Sequence, residues 1–220
     1  MNAEQLMNII LWLMVVILSL TVHEFAHAWY ADWAGDPTPR SQGRVTLNPI
    51  AHLDPLGTLL IVMVAISGFG FGWGKPVPIN PGYFRNPRRD WVLCAFVGPL
   101  SNIVLAVIFS IMVRMMVLFI GEENPFNNVF FTFCFYMVVT NVGLALFNMI
   151  PIHPLDGSKV LSGLLADVFD RRYWSWQIAY GPIILITALV FVPVVTHGAV
   201  RPLSWVLSPL WKTVLSWLLR

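Results

Sequence analysis

The chain has 220 residues, of which 57% are hydrophobic and 11% charged, against roughly 45–50% and 25% in soluble domains. This composition excludes an ordinary soluble globular fold. With 13 basic and 11 acidic residues, the chain also lacks the charge block of a disordered segment and the basic face of a nucleic-acid binder. The composition indicates an all-α polytopic membrane protein with five or six transmembrane helices and a re-entrant extended segment. It reads as a single membrane-embedded unit over residues 1–220, with a core at about 6–170 and C-terminal helices at about 173–219.

The apolar run from Leu6 to Val22, followed by Ala26-His27-Ala28, imitates a signal peptide with its cleavage site. Met1-Asn2-Ala3-Glu4 carries no positive charge, however, and the run is long enough to span. A first helix is therefore expected at about 6–33, with His23, Glu24 and His27 near its C-terminal end. Asp36-Pro37-Thr38-Pro39 and Asn48-Pro49 are turn chemistry, and a short apolar segment follows at about 56–69. Residues 68–82 are apolar but so rich in Gly and Pro that extended or looping backbone is expected. Further helices are expected at about 90–119, kinked at Gly98-Pro99, and at about 127–149, with Glu122 and Glu123 between them. A structured turn runs from Asn148 to Gly157, followed by a short helix at about 158–169 and a span at about 173–195. The last segment, 203–219, holds Pro209 and Lys212 and reads as a sixth span or an interfacial helix. Cys94 and Cys134 lie in apolar runs without paired spacing and read as reduced packing residues.

His23-Glu24-Phe25-Ala26-His27 is an H-E-x-x-H pattern, which on a helix turns both imidazoles to one face. Two imidazoles so placed can grip one metal ion, with Glu24 beside them as a proton acceptor that need not coordinate. Ionisable groups cost roughly 2.5–3.5 kcal/mol each at the centre of a membrane helix, and a bound dication would offset that cost. A third ligand must come from elsewhere. Asp156 and His153, three residues apart in the turn after the fourth long helix, are the candidates near membrane depth, with His52 and His197 in loops further off, and Asp156 is preferred because a carboxylate lowers the net charge of a buried site.

The H-E-F-A-H pentapeptide, the Asn148-to-Gly157 stretch of form N-x-x-P-x-x-P-L-D-G, and Gly98-Pro99-Leu100-Ser101-Asn102 together resemble the site-2 protease family of intramembrane zinc metalloproteases, from about residue 15 to 165. The resemblance is to the compact branch without PDZ or CBS domains. It implies one zinc ion held by His23, His27 and Asp156, Glu24 as general base, and Asn102 and Asn148 near a bound peptide. The reaction implied is hydrolysis of a peptide bond in or next to a transmembrane segment of a membrane-protein substrate. Helix–helix hydrogen bonding is the alternative for the two asparagines. Two rival readings are a metal-binding membrane scaffold or transporter, which would need further acids along a path, and a prenyl-protein-processing type of peptidase, whose glutamate ligand could only be Glu122 or Glu123.

For His23, His27 and Asp156 to meet, the chain between the first and fourth long helices must cross an even number of times. The expectation is that 56–69 descends as a helix and 70–82 returns as extended backbone. Arg40, Arg44, Arg85, Arg88, Arg89, Lys159, Arg171 and Arg172 then share one side, cytoplasmic by the positive-inside rule in a bacterial-type plasma membrane, and Glu122 and Glu123 face the other. Within the return, Val77 and Ile79 are expected to offer backbone donors to an unwound substrate strand, with Pro76 and Pro78 turned away; the alternative is that this stretch only leads the chain back.

Overall fold

The computed structural model describes residues 2–68, 70–120, 125–165 and 171–219. Glu122 and Glu123, together with the ends of the 56–69 and 158–169 segments at Phe69 and 166–169, lie outside the described residues. Helix α1, Ala3–Ala34, starts at a reciprocal cap: the Asn2 side chain accepts from the Gln5 N–H, and the Gln5 side chain accepts from the Asn2 N–H. It stops at Gly35, whose φ of 115° suits a residue without a Cβ. After α2, Thr38–Ser41, and a 3-10 turn at Pro49–His52, α3 spans Pro55–Ser67 and is capped by Asp54, whose carboxylate accepts the Gly57 N–H at 2.8 Å. Then come α4, Pro87–Ile120, which continues through Pro99, and α5, Val129–Asn148, capped by Asn128. Helix α6, Asp156–Leu164, follows the structured turn. Helix α7, Arg171–Ile186, passes through a π-helical turn at Thr187–Phe191 into α8, Val192–Val195, and α9 is Pro202–Leu219.

Among the described residues, four helical stretches have the length and hydropathy to cross a membrane: Ala3–Ala34, Pro87–Phe119, Val129–Asn148 and Arg172–Val195. The chain is an integral membrane protein, and α3 and α9 add two further apolar helices to these four. At 13 residues, α3 reaches about 20 Å, short of a hydrocarbon core of about 30 Å. Helix α9 lays Leu215, Leu218 and Leu219 against a cluster of Val113, Phe131, Cys134 and Val138 from α4 and α5. Arg114 of α4 donates to the carbonyls of Trp217 and Leu218, satisfying groups that the end of α9 leaves unpaired.

Side-chain contacts fix the directions of the long helices. His23 meets Asn102, His27 meets Cys94, Tyr30 meets Asp90, and the Arg85 N–H donates to the Ala34 carbonyl at 3.1 Å. Numbers rising along α1 and falling along α4 mean that the two run antiparallel. Asn102 with Asn141 and Phe109 with Phe133 give the same result for α4 and α5. Helices α1 and α5 therefore point the same way, which brings His23 and His27 of α1 to the turn after α5 that carries Asp156.

The chain leaves the end of α1 and comes back to it. Leu53 and Gly74 form an antiparallel bridge, and the Lys75 N–H donates to the His52 carbonyl at 2.8 Å. Segment 54–73 thus departs from and returns to one place, with α3 as its outward limb. The limbs touch so closely that a Cβ on Gly57 would overlap the Trp73 carbonyl oxygen. The low side-chain volume of the Gly-rich stretch is what lets extended backbone lie on a helix. Single cysteines replacing Arg40 and Arg88 are expected to react with an impermeant thiol reagent from one side of sealed vesicles, and one replacing Asn128 from the other. Buried Cys94 and Cys134 should stay silent. Opposite labelling of positions 40 and 88 would rule out this path.

Candidate metal centre

His23 and His27 lie four positions apart on α1, which sets both rings toward α4 and α6. Asp156 enters from the first turn of α6, where a carboxylate is favoured by the exposed helix N–H groups. All three side chains are buried. His23 Nε2, His27 Nε2 and Asp156 Oδ2 form a triangle whose three edges are each 3.1 Å. Helix α4 can approach this triangle because residue 98 is glycine: a Cβ there would overlap His27 Nε2 and lie 2.8 Å from His23 Cε1.

The hydrogen bonds behind the triangle show what it suits. His27 Nδ1 donates to the Cys94 carbonyl oxygen at 2.7 Å. His23 Nδ1 donates to Asn102 Oδ1 at 2.6 Å, because the Asn102 amide nitrogen is committed to Asn141. A neutral imidazole with its hydrogen on Nδ1 bears a lone pair on Nε2. Two such lone pairs and a carboxylate oxygen therefore converge within 3.1 Å of one another, an arrangement that repels itself unless a cation lies among them. Tetrahedral ligands at about 2.0–2.1 Å from a zinc ion stand about 3.3 Å apart, so the residues fit such an ion. Among the described residues, this is the one group of three His, Cys, Asp or Glu side chains able to hold a metal.

Glu24 reaches the returning chain, and its Oε2 accepts the Val77 N–H at 3.2 Å. That stretch is tied down on several sides. Arg44 donates to the Lys75 carbonyl at 2.5 Å and the Pro76 carbonyl at 2.8 Å, and the Asn80 N–H donates to Asp36 at 2.6 Å. Burial pushes the Arg44 guanidinium down from its ordinary value while the Glu24 charge opposes this, and two carbonyls accept from its terminal nitrogens while its Nε–H is left without a partner among the described residues. Ile79 packs its side chain on Tyr30, Ala34 and Phe84. Among the described residues, the Ile79 N–H and Val77 C=O have no protein partner.

A family model described as Peptidase family M50 matches residues 11–193. The chain belongs to this family, that of the site-2 proteases. A Bacillus subtilis protein named "Putative zinc metalloprotease YwhC" is 41% identical over 176 residues, covering 80% of this chain and 78% of that one. A Mycolicibacterium smegmatis protein named "Putative zinc metalloprotease Rip2" is 31% identical over 178 residues, 78% of this chain and 64% of that one. No solved structure matches significantly. The M50 chain is a zinc metalloprotease.

The remaining polar residues divide between the centre and its supports. Lys159, grouped by sequence with the side-marking charges, donates from Nζ to Asp156 Oδ1 at 2.9 Å and so leaves Oδ2 to the triangle. Arg44, grouped likewise, is buried as the clamp described above. Asn102 is fully buried with both halves of its amide engaged by His23 and Asn141. Asn148 is half-buried and donates to the Leu144 carbonyl at 3.0 Å. His153 lies outside the triangle, and burial together with the Lys159 charge holds its imidazole below the ordinary value. His52 is engaged by Thr46 and Arg44, and His197 lies in the turn after α8. Sequence reasoning missed Gln177 of α7, which accepts from the His153 N–H and donates to the Pro151 carbonyl, bracing the turn that presents Asp156. Asp156→Ala is expected to lower bound zinc at least tenfold by elemental analysis, while His153→Ala retains most of it; the reverse result would reassign the third ligand.

Proposed function

We propose that this protein hydrolyses a peptide bond within or next to a transmembrane segment of a membrane-protein substrate, with one zinc ion per chain held by His23, His27 and Asp156. The convergence of three lone pairs at 3.1 Å in a buried site is the observation that carries this reading. When bound, zinc would polarise the scissile carbonyl and make water nucleophilic near neutral pH. Glu24, adjacent to His23 but outside the triangle, takes a proton from the attacking water and hands it to the leaving nitrogen. Asp156 keeps one oxygen on Lys159 and turns the other inward, which holds the carboxylate to a single donor atom.

The substrate must be unwound at the cut, and an unwound peptide in a dry site needs partners for its N–H and C=O groups. The stretch Pro76–Asn80 provides an edge for it. In extended backbone, the Val77 C=O and the Ile79 N–H lie on one side and are left for the substrate, while the Val77 N–H expected to join them is held by Glu24. Pro76 lacks an N–H and turns its carbonyl to Arg44. Asn148, at the end of α5, is assigned to the same peptide, and Asn102 to the imidazole behind it. The clustering of Arg40, Arg85, Arg88 and Arg89 at the end of the bundle where α1 stops and α4 starts supports a cytoplasmic location for that end, in a plasma membrane of bacterial type.

Glu24→Gln is expected to retain zinc and lose cleavage of a reporter with a cleavable span by at least about 100-fold; undiminished cleavage would remove Glu24 as the base. In that inactive background, a cysteine at Val77 or Ile79 is expected to form disulfides with alternate positions of the substrate on either side of the cut. Substrate binding without any such crosslink would rule out strand addition.

A further inference from the structure

Three helices meet at Ser19 of α1, Asn102 of α4 and Asn141 of α5, and each of these side chains is 0% exposed. A buried amide has to face the right way round, because reversing it sets donor against donor or acceptor against acceptor. Asn141 lies one helical turn beyond Met137, and its Nδ2 donates to the Met137 carbonyl at 2.8 Å and to Ser19 Oγ at 2.9 Å. A backbone carbonyl can only accept, so this contact sets the Asn141 amide. Its oxygen then faces Asn102, whose Nδ2 donates to it at 2.7 Å. Asn102 Oδ1 is left for His23 Nδ1, 2.6 Å away. The Ser19 hydroxyl hydrogen turns to Met137 Sδ at 3.9 Å, keeping its lone pairs for Asn141.

We propose that Asn141 and Ser19 are positioning residues for His23, acting through Asn102; this rests on the zinc reading given above. Orientation passes in one direction, from a fixed acceptor at Met137 across two amides to an imidazole. With Asn102 held this way round, the His23 hydrogen sits on Nδ1 and the Nε2 lone pair faces His27 and Asp156. Were the Asn102 amide to turn over, its NH2 would face Nδ1, the ring hydrogen would move to Nε2, and a nitrogen bearing hydrogen cannot ligate a metal. Partners behind a ligating histidine typically change metal affinity about 10–100-fold. Here that partner is an amide that cannot hold its own orientation without a second amide on another helix. Neither Asn141 nor Ser19 falls within the sequence motifs, and neither touches the metal triangle.

The test is a mutant cycle on the detergent-solubilised full chain, reading zinc affinity by competition with a chelator, thermal unfolding, and the visible spectrum after loading with Co(II). Asn141→Leu is expected to lower zinc affinity about 10–100-fold and to alter the Co(II) bands. In an Asn102→Ala background the same change should shift affinity by less than about twofold, because the route to His23 is already cut. Asn102→Asp combined with Asn141→Leu should recover most of the affinity, since a carboxylate offers Nδ1–H an acceptor whichever way it turns. Ser19→Ala should show the same dependence on Asn102 with a smaller loss, and Asn141→Ala takes the place of Asn141→Leu if the larger side chain prevents folding. Equal losses with and without Asn102 would reduce Asn141 to packing and overturn the relay. Zinc that is lost on His23→Ala but indifferent to Asn141 removes the relay alone. Zinc that survives His23→Ala removes the metal reading and the relay with it.

Discussion

Three lone pairs held 3.1 Å apart inside a buried bundle are the constraint on which the rest of the molecule depends. Each of the three side chains is costly to insert among apolar helices, and their mutual repulsion adds to that cost. On the proposed zinc reading, stability of the bundle and possession of a cation are therefore one problem. The solution draws on separate parts of the chain: α1 presents the rings, α4 orients both of them from behind, and α6 brings the carboxylate. Helix α1 must run antiparallel to α4 and parallel to α5 for these groups to meet, so the order of the long helices follows from the site as much as from their apolar surfaces.

Close approach is the second requirement. Gly98 brings α4 against the imidazoles, and Gly57 lets the returning chain lie on α3. A Cβ at either position would separate elements whose polar groups then lose their partners, which in a dry interior costs several kcal/mol per group. Arg44 meets the same requirement for the extended stretch, replacing the neighbouring strand it lacks by donating to two successive carbonyls.

Legibility in the sequence followed the range of the interaction. His23, Glu24 and His27 could be read because helical spacing alone brings them together, and Asp156 because a buried dication favours a carboxylate. The re-entrant path was readable from Gly and Pro content together with the need for α1 and α5 to point the same way. Arg44 and Lys159 were read as markers of sidedness, since nothing local distinguishes a buried cation from a solvated one; their roles come from Lys75, Pro76 and Asp156 arriving from elsewhere in the chain. Asn141 is one polar residue in an apolar helix with no motif around it, and only the register between α4 and α5 shows that it faces Asn102. Gln177 was invisible for the same reason: its partners, His153 and Pro151, belong to a turn formed more than 20 residues earlier.

The bridge between Leu53 and Gly74 separates two properties that share one stretch of chain. Because the excursion is closed at its base, the length of α3 determines how far it dips, while the alignment of Glu24 with Val77 is determined below the closure. An added helical turn would carry the tip about 5.4 Å deeper and cost little in loop entropy, leaving Glu24 and Val77 where they are. Segment 54–73 can therefore vary in length with the hydrogen bond between Glu24 and Val77 insulated from that variation.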